Sequence, residues 1–249
     1  MLEYEFMNYS NIIKLSEKLR PIYSTQMLYI VGQAYLFKHK FYQAKKLFNR
    51  LCEIDSSPKY QFALALAYIG ARQTSLAIET VQTNSKYLKL ITYILNEKSI
   101  SKNTLSKEFL SMKNLFENDK LALFKVLDIC LKKHEIRTVE ELLPVLEASR
   151  NLRKDFYKIQ ILIQKQEFKI AEEQLINLKK IKSFEMLLAE LLDHQERFEE
   201  LEKLLEQLQQ YEKFEYEQCC YHYARIFEHK KDIAFYKMLY PNKNQNLIS

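Results

Sequence analysis

The stretch "YIVGQAYLFKHKFYQAKKLF", residues 29–48, carries Gly32, one of only two glycines in 249 residues. The glycine sits in the middle of an apolar helical pattern, where it weakens a helix by about 1 kcal/mol relative to alanine. A second small residue, Ala44, follows twelve residues later. The arrangement then returns thirty-three residues on. Val31, Gly32, Tyr35, Ala44 and Phe48 are matched by Leu64, Ala65, Tyr68, Ala77 and Val81. Small residues at Gly32/Ala44 and Ala65/Ala77 let the two helices of a hairpin approach closely, and the aromatic residues fill the space around that contact. Any antiparallel helical hairpin favours small residues at its crossing, but two copies in register point to a repeat.

The rest of the composition agrees with helices. Two glycines and four prolines are too few for a protein of hairpin strands or phosphate-binding loops. With 47% apolar and 28% charged residues the chain is globular, and the fold class expected is all-α. The spacing resembles the tetratricopeptide repeat, a helix-turn-helix unit of about 34 residues. That resemblance implies a right-handed solenoid of helical hairpins, the first helix of each unit lining the concave side.

Weaker copies follow: Val126, Leu127, Cys130, Val139 and Leu143; then Ile159, Leu162, Ala171 and Leu175; then Leu188, Ala189, Leu192, Leu201 and Leu205; then a shortened one with Ala224, Phe227, Ala234 and Met238. Between Ser85 and Asn118 the pattern degrades but still reads as helical. "YSNIIKLSEKL" before the first repeat reads as a lone second helix. No Gly/Pro/Ser-rich linker interrupts the chain, so residues 1–240 are expected to form one helical-repeat domain, clearest over 25–84 and degenerate over 85–240. Residues 241–249 read as a frayed tail. Ser57 with Pro58 marks a helix start. Thr138 with Glu141 has capping-box spacing, and Pro144 is expected to kink or end its helix.

Sites for chemistry are sparse. His39, His134, His194 and His229 fall in or near hairpin turns, too scattered for one metal. Cys219 and His222 share a helix face without two further nearby ligands. Nucleophile elbows, zinc-protease pairs and nucleotide fingerprints are missing from the sequence. An acidic block at 190–217 contrasts with a lysine-rich stretch at 86–133; it reads as a polar outer face or a surface for a basic partner. The expectation is no enzyme, no cofactor, no metal, no nucleic acid and no membrane span. The net charge of +6 comes mostly from dispersed lysine. Four cysteines without a CxxC pair suit a reducing intracellular compartment, nuclear or cytoplasmic.

The inner face of the first two hairpins is the candidate partner-binding surface. By repeat register it carries Tyr29, Gln33, Leu36, Phe37, Phe62, Leu66 and Ile69, an apolar set for a face left in water. Later units place Asp128, Gln160, Glu190 and Asp193 there. Two explanations stay open: a protein interface, in particular a homodimer through the N-terminal repeats, or burial by the chain itself in a tight superhelix. Repeat packing is assigned to Gly32, Tyr35, Ala44, Phe48, Ala65, Tyr68 and Ala77.

The segments "YSNIIKLSEKL", "MLYIVGQAYLFKHKFYQAKKLF" and "PKYQFALALAYIGARQTSLAIETV" together resemble the N-terminal repeats of tetratricopeptide subunits of the anaphase-promoting complex, the cyclosome. The nearest type is the homodimerising cell-division-cycle subunit. The resemblance covers less than a third of the chain, and the long C-terminal superhelix of such subunits is not evident by residue 249. It implies a non-catalytic scaffold of a cell-cycle ubiquitin ligase, with protein partners that include other cyclosome subunits. The alternative is a peptide-binding adaptor of the co-chaperone type. That type clamps a peptide carboxylate with Lys, Asn and Arg, where this chain has Tyr29, Gln33 and Phe62.

Overall fold

The computed structural model describes residues 9–18, 24–97, 99, 101–146, 152–176, 178, 182–208 and 221–226. These residues are helical, with turns and no strand among them. Cys219, Cys220, Phe227, His229, Ala234, Met238 and the tail 241–249 lie outside them. Two compact units, Met1–Gln164 and Lys165–Ser249, are described separately.

The first unit runs α1 (Tyr9–Lys18), α2 (Thr25–Phe37), α3 (Phe41–Ile54), α4 (Pro58–Gly70), α5 (Thr74–Val81), α6 (Ser85–Leu95), α7 (Lys102–Ser111), α8 (Lys113–Asn118), α9 (Lys120–Lys132), α10 (Ile136–Leu142), a 3-10 turn (Leu143–Leu146) and α11 (Leu152–Gln164). The second holds α12 (Phe168–Ile176), α13 (Lys182–His194), α14 (Phe198–Leu208) and a helical segment at 221–226.

One turn recurs. His39, Arg72, His134 and Glu196 each take left-handed φ between 54° and 62°. In each case this residue's N–H bonds the carbonyl three residues back, and the next N–H reaches five back. At the first turn His39 N donates to Leu36 O (3.1 Å) and Lys40 N to Tyr35 O (2.9 Å). This is the Schellman closure, which consumes two orphan carbonyls of the ending helix. It also fixes the register of the returning helix. Five residues beyond the left-handed residue stand Ala44, Ala77, Val139 and Leu201, all fully buried. The repeat register read from small residues is therefore the register the turns impose. In the later copies larger residues such as Leu127 and Val139 hold the same buried places.

Helix ends match the sequence in part. Ser57 is the N-cap of α4 with Pro58 in its first turn, but its side chain makes no cap bond, and its N–H donates to Asp55 Oδ1 instead. The capping box at Thr138 is corrected: the turn at His134 starts α10 at Ile136, so Thr138 lies inside the helix. There it is buried, and its hydroxyl donates to Ser106 Oγ (2.8 Å). The helix ahead of Pro144 stops at Leu142 and tightens into the 3-10 turn, as its ring requires.

Gly32 is a close-approach glycine. A Cβ added there would meet Phe48 Cε1 at 2.5 Å, and Phe48 is fully buried. A Cβ added at Gly70 would run into the Phe41 ring, but Phe41 is only half-buried and can swing away. Gly32→Ala is expected to lose up to about 2 kcal/mol, the overpacking cost of about 1–3 kcal/mol less the helix-propensity gain of about 1. Gly70→Ala is expected to be near neutral, and urea denaturation of both variants checks the contrast. Arg72→Gly removes left-handed strain, so its denaturation free energy is expected to rise by about 1 kcal/mol.

Candidate interaction surface

The inward helices of the first unit start on one edge and end on the other. Asp119, the N-cap of α9, shows why. Its Oδ1 accepts from Leu121 N (3.0 Å) and Ala122 N (3.2 Å), and its Oδ2 accepts from the Tyr87 hydroxyl of α6 (2.9 Å). The Tyr29 hydroxyl of α2 lies 3.5 Å from Oδ1. One carboxylate, 2% exposed, thus gathers the N-terminal portions of three inward helices. Burial pushes its pKa up, opposed by the bonds from Ala122, Tyr87 and Leu121 and by the Lys59 charge. The same burial, with the adjacent Asp119, pushes the Tyr87 phenol up. Lys59 of α4 lies over the Tyr29 and Tyr60 rings, 5.8 and 4.9 Å from their centroids.

Further along, the same face is filled by a cation among rings. The Arg153 guanidinium of α11 lies 3.8 Å from the Phe124 centroid, 4.6 Å from that of Phe37 and 5.6 Å from that of Tyr9. It also donates to the Tyr9 hydroxyl. Tyr9 stacks on Phe37 at 4.9 Å, while Ile12 and Ile13 of α1 pack against Val31 and Ala34. Tyr157 donates to Asp128 Oδ1 (2.9 Å) and Gln164 to Leu131 O (3.0 Å), so α11 lies alongside α9 in the same direction.

These contacts decide where the expected inner residues are. Phe62, Leu36 and Leu66 are 0%, 5% and 5% exposed, inside the core cluster. Tyr29, Phe37 and Ile69 are half-buried and packed against that cluster. Gln33 is buried as well. Burial by the chain itself accounts for Phe62, Leu36, Leu66 and Gln33, while Tyr29, Phe37 and Ile69 keep part of their surface open. Gly32, Ala44, Phe48, Ala65 and Ala77 are buried at the hairpin contacts, with Tyr35 and Tyr68 half-buried beside them.

The second unit contains a polar cluster built on buried Asp193 and His222 with exposed Arg225. His222 Nδ1 is 3.1 Å from Asp193 Oδ2, and Arg225 Nε is 3.3 Å from Asp193 Oδ1. Tyr223 and Ile226 enter the apolar cluster of Ala189, Leu192, Phe198, Leu201 and Leu205. Arg197 bonds Glu200 and Glu172, holding α14 to α12. Glu190 is pushed up by burial.

Burial pushes Cys52 up to about 11 and Cys130 up to about 12, away from the thiolate. No cluster of three metal-ligating side chains occurs among the described residues. No described helix is long and apolar enough to cross a membrane.

Asp119 and Arg153 were not singled out by sequence reasoning. "ND" ahead of "KLALFKV" is a readable N-cap signal for the first; nothing local marks the second. No family model, curated protein or solved structure matches the chain.

Asp119→Ala should cost about 2–3 kcal/mol, since it leaves two N–H groups and the Tyr87 hydroxyl without their acceptor, whereas Asp119→Asn should recover most of that. Chemical denaturation at neutral pH separates the two. His222 gives a pH test. Burial lowers its pKa below 6.5, against the pull of Asp193. Between 6.5 and that lowered value the unfolded chain holds the proton more tightly than the folded one, so acidification through this window removes stability. His222→Asn should flatten that part of the stability-versus-pH curve.

Proposed function

We propose that the chain is a non-catalytic protein-binding scaffold of the tetratricopeptide type, its hairpins wound in a right-handed superhelix. The observation that carries this reading is the repeated Schellman turn with a buried residue five positions on. It supports a stack of equivalent hairpins, an architecture whose extended surfaces suit protein recognition. The desolvated carboxylates support a non-catalytic role, because Asp119 is engaged by a helix cap and a tyrosine, and Asp193 by His222 and Arg225. Within this class, the resemblance of residues 9–81 favours a cyclosome-type assembly. A homodimer through the inner apolar face is not part of the proposal, since its central residues are used by the fold.

Affinity purification from native cells, with mass spectrometry and sizing of the complex, tests the reading. The expected outcome is stoichiometric protein partners, with other ubiquitin-ligase subunits among them if the cyclosome assignment is right. A chain that migrates alone at 30.0 kDa would reject the scaffold function.

A further inference from the structure

The edge that carries the hairpin turns has a charge pattern that helix stability does not explain. Lys38 and Lys133, the C-caps of α2 and α9, complement the negative ends of those helices. Lys40 does the opposite. It is the N-cap of α3, where positive charge opposes the helix dipole and where Ser, Thr, Asp or Asn is preferred. No acidic residue stands in the first turn of α3 or α5. In the second unit α14 follows the ordinary rule, with Glu199 and Glu200 in its first turn.

The first two turns are also neighbours. Phe41 packs against Gly70, and Lys45 of α3 donates to Gln73 Oε1 (3.1 Å) beside the second turn. Exposed Arg72 lies in the turn between Gly70 and Gln73, the two residues that make these contacts. One residue beyond Phe41, Tyr42 is 73% exposed, the most exposed large apolar side chain among the described residues. His39 and Lys40 precede it on the chain and are exposed too. Tyrosine and arginine are the residue types enriched at interfaces and among their anchors.

We propose that this edge, centred on Tyr42 with His39, Lys40 and Arg72, docks an acidic segment of a protein partner. Charge complementarity selects the sign of the occupant. Lysine and histidine as single point donors suit the separated carboxylates of a peptide, whereas regular phosphate recognition favours clustered arginine. The inference deepens the scaffold reading and rests on it.

The test is fluorescence anisotropy of the full chain with a labelled oligoglutamate peptide, and separately with labelled oligouridylate. The wild type is expected to bind oligoglutamate, and the double reversal Lys40→Glu/Arg72→Glu to weaken it at least about tenfold. Tyr42→Ser is expected to weaken it as well. Lys86→Glu/Lys113→Glu, the same charge change away from the turns, should move affinity by less than about threefold. Helical circular dichroism and unchanged melting confirm that each surface variant is folded. No binding of oligoglutamate, or equal losses in the two double variants, overturns the proposal. Tighter, Tyr42-dependent binding of oligouridylate overturns it in favour of nucleic acid. If native partners still co-purify with the Lys40→Glu/Arg72→Glu chain, the edge is rejected while the scaffold reading stands; if the wild type has no partners, the scaffold reading itself has failed.

Discussion

Everything in this molecule depends on turning a helix through a half-circle without glycine. A left-handed backbone costs an L-residue roughly 1–2 kcal/mol, and the two glycines of the chain are both spent on close packing at Gly32 and Gly70. His39, Arg72, His134 and Glu196 take the left-handed position instead. The strain is held by what each turn makes possible: two backbone bonds at the end of one helix, and a helix pair whose crossing residues are excluded from water. Ala44, Ala77, Val139 and Leu201 are buried because of where those turns put them. A turn one residue longer would rotate the returning helix by about 100° and carry its apolar stripe off the contact.

The second organising element is polar. An apolar inner wall alone would leave the spacing of the inward helices to side-chain volume. Asp119 adds directed bonds, joining the cap of α9 to Tyr87 on α6 with Tyr29 of α2 close by. Arg153 serves similarly among Phe37, Phe124 and Tyr9, where burying a guanidinium is tolerable because rings lie against it and a phenol accepts from it. Buried polar groups of this kind specify one arrangement over its alternatives more than they add to stability.

The helical class, the first two hairpins and their buried small residues were legible because they follow from spacing along the chain. So was the break before Pro144, where ring sterics act locally. Thr138 misled because its spacing to Glu141 imitates a cap, while the helix start is set upstream by the turn at His134. The inner face was the larger difficulty. Repeat register placed Phe62, Leu36 and Leu66 on the concave side, but register does not say whether that side is open. Their cover includes elements distant in sequence. Asp119 lies ninety residues from Tyr29, and Arg153 one hundred and forty-four from Tyr9. The outer edge posed the reverse problem. Along the chain Lys40 is one lysine among many, and only the structure makes it the N-cap of α3.

The contact between Tyr9 and Arg153 alters how the first unit is held together over time. In an open repeat array each hairpin touches only its neighbours, so ends can fray or be removed one unit at a time, with stability adding up along a line. Here the first described helix, α1, touches α11, the last helix of the unit, so the described array is joined end to end. Opening at either end must release the other, so hydrogen exchange across the unit should be governed by one cooperative event instead of a gradient from tip to middle. Folding carries the corresponding burden, because the final closure joins parts of the chain far apart in sequence and must wait for the hairpins between them.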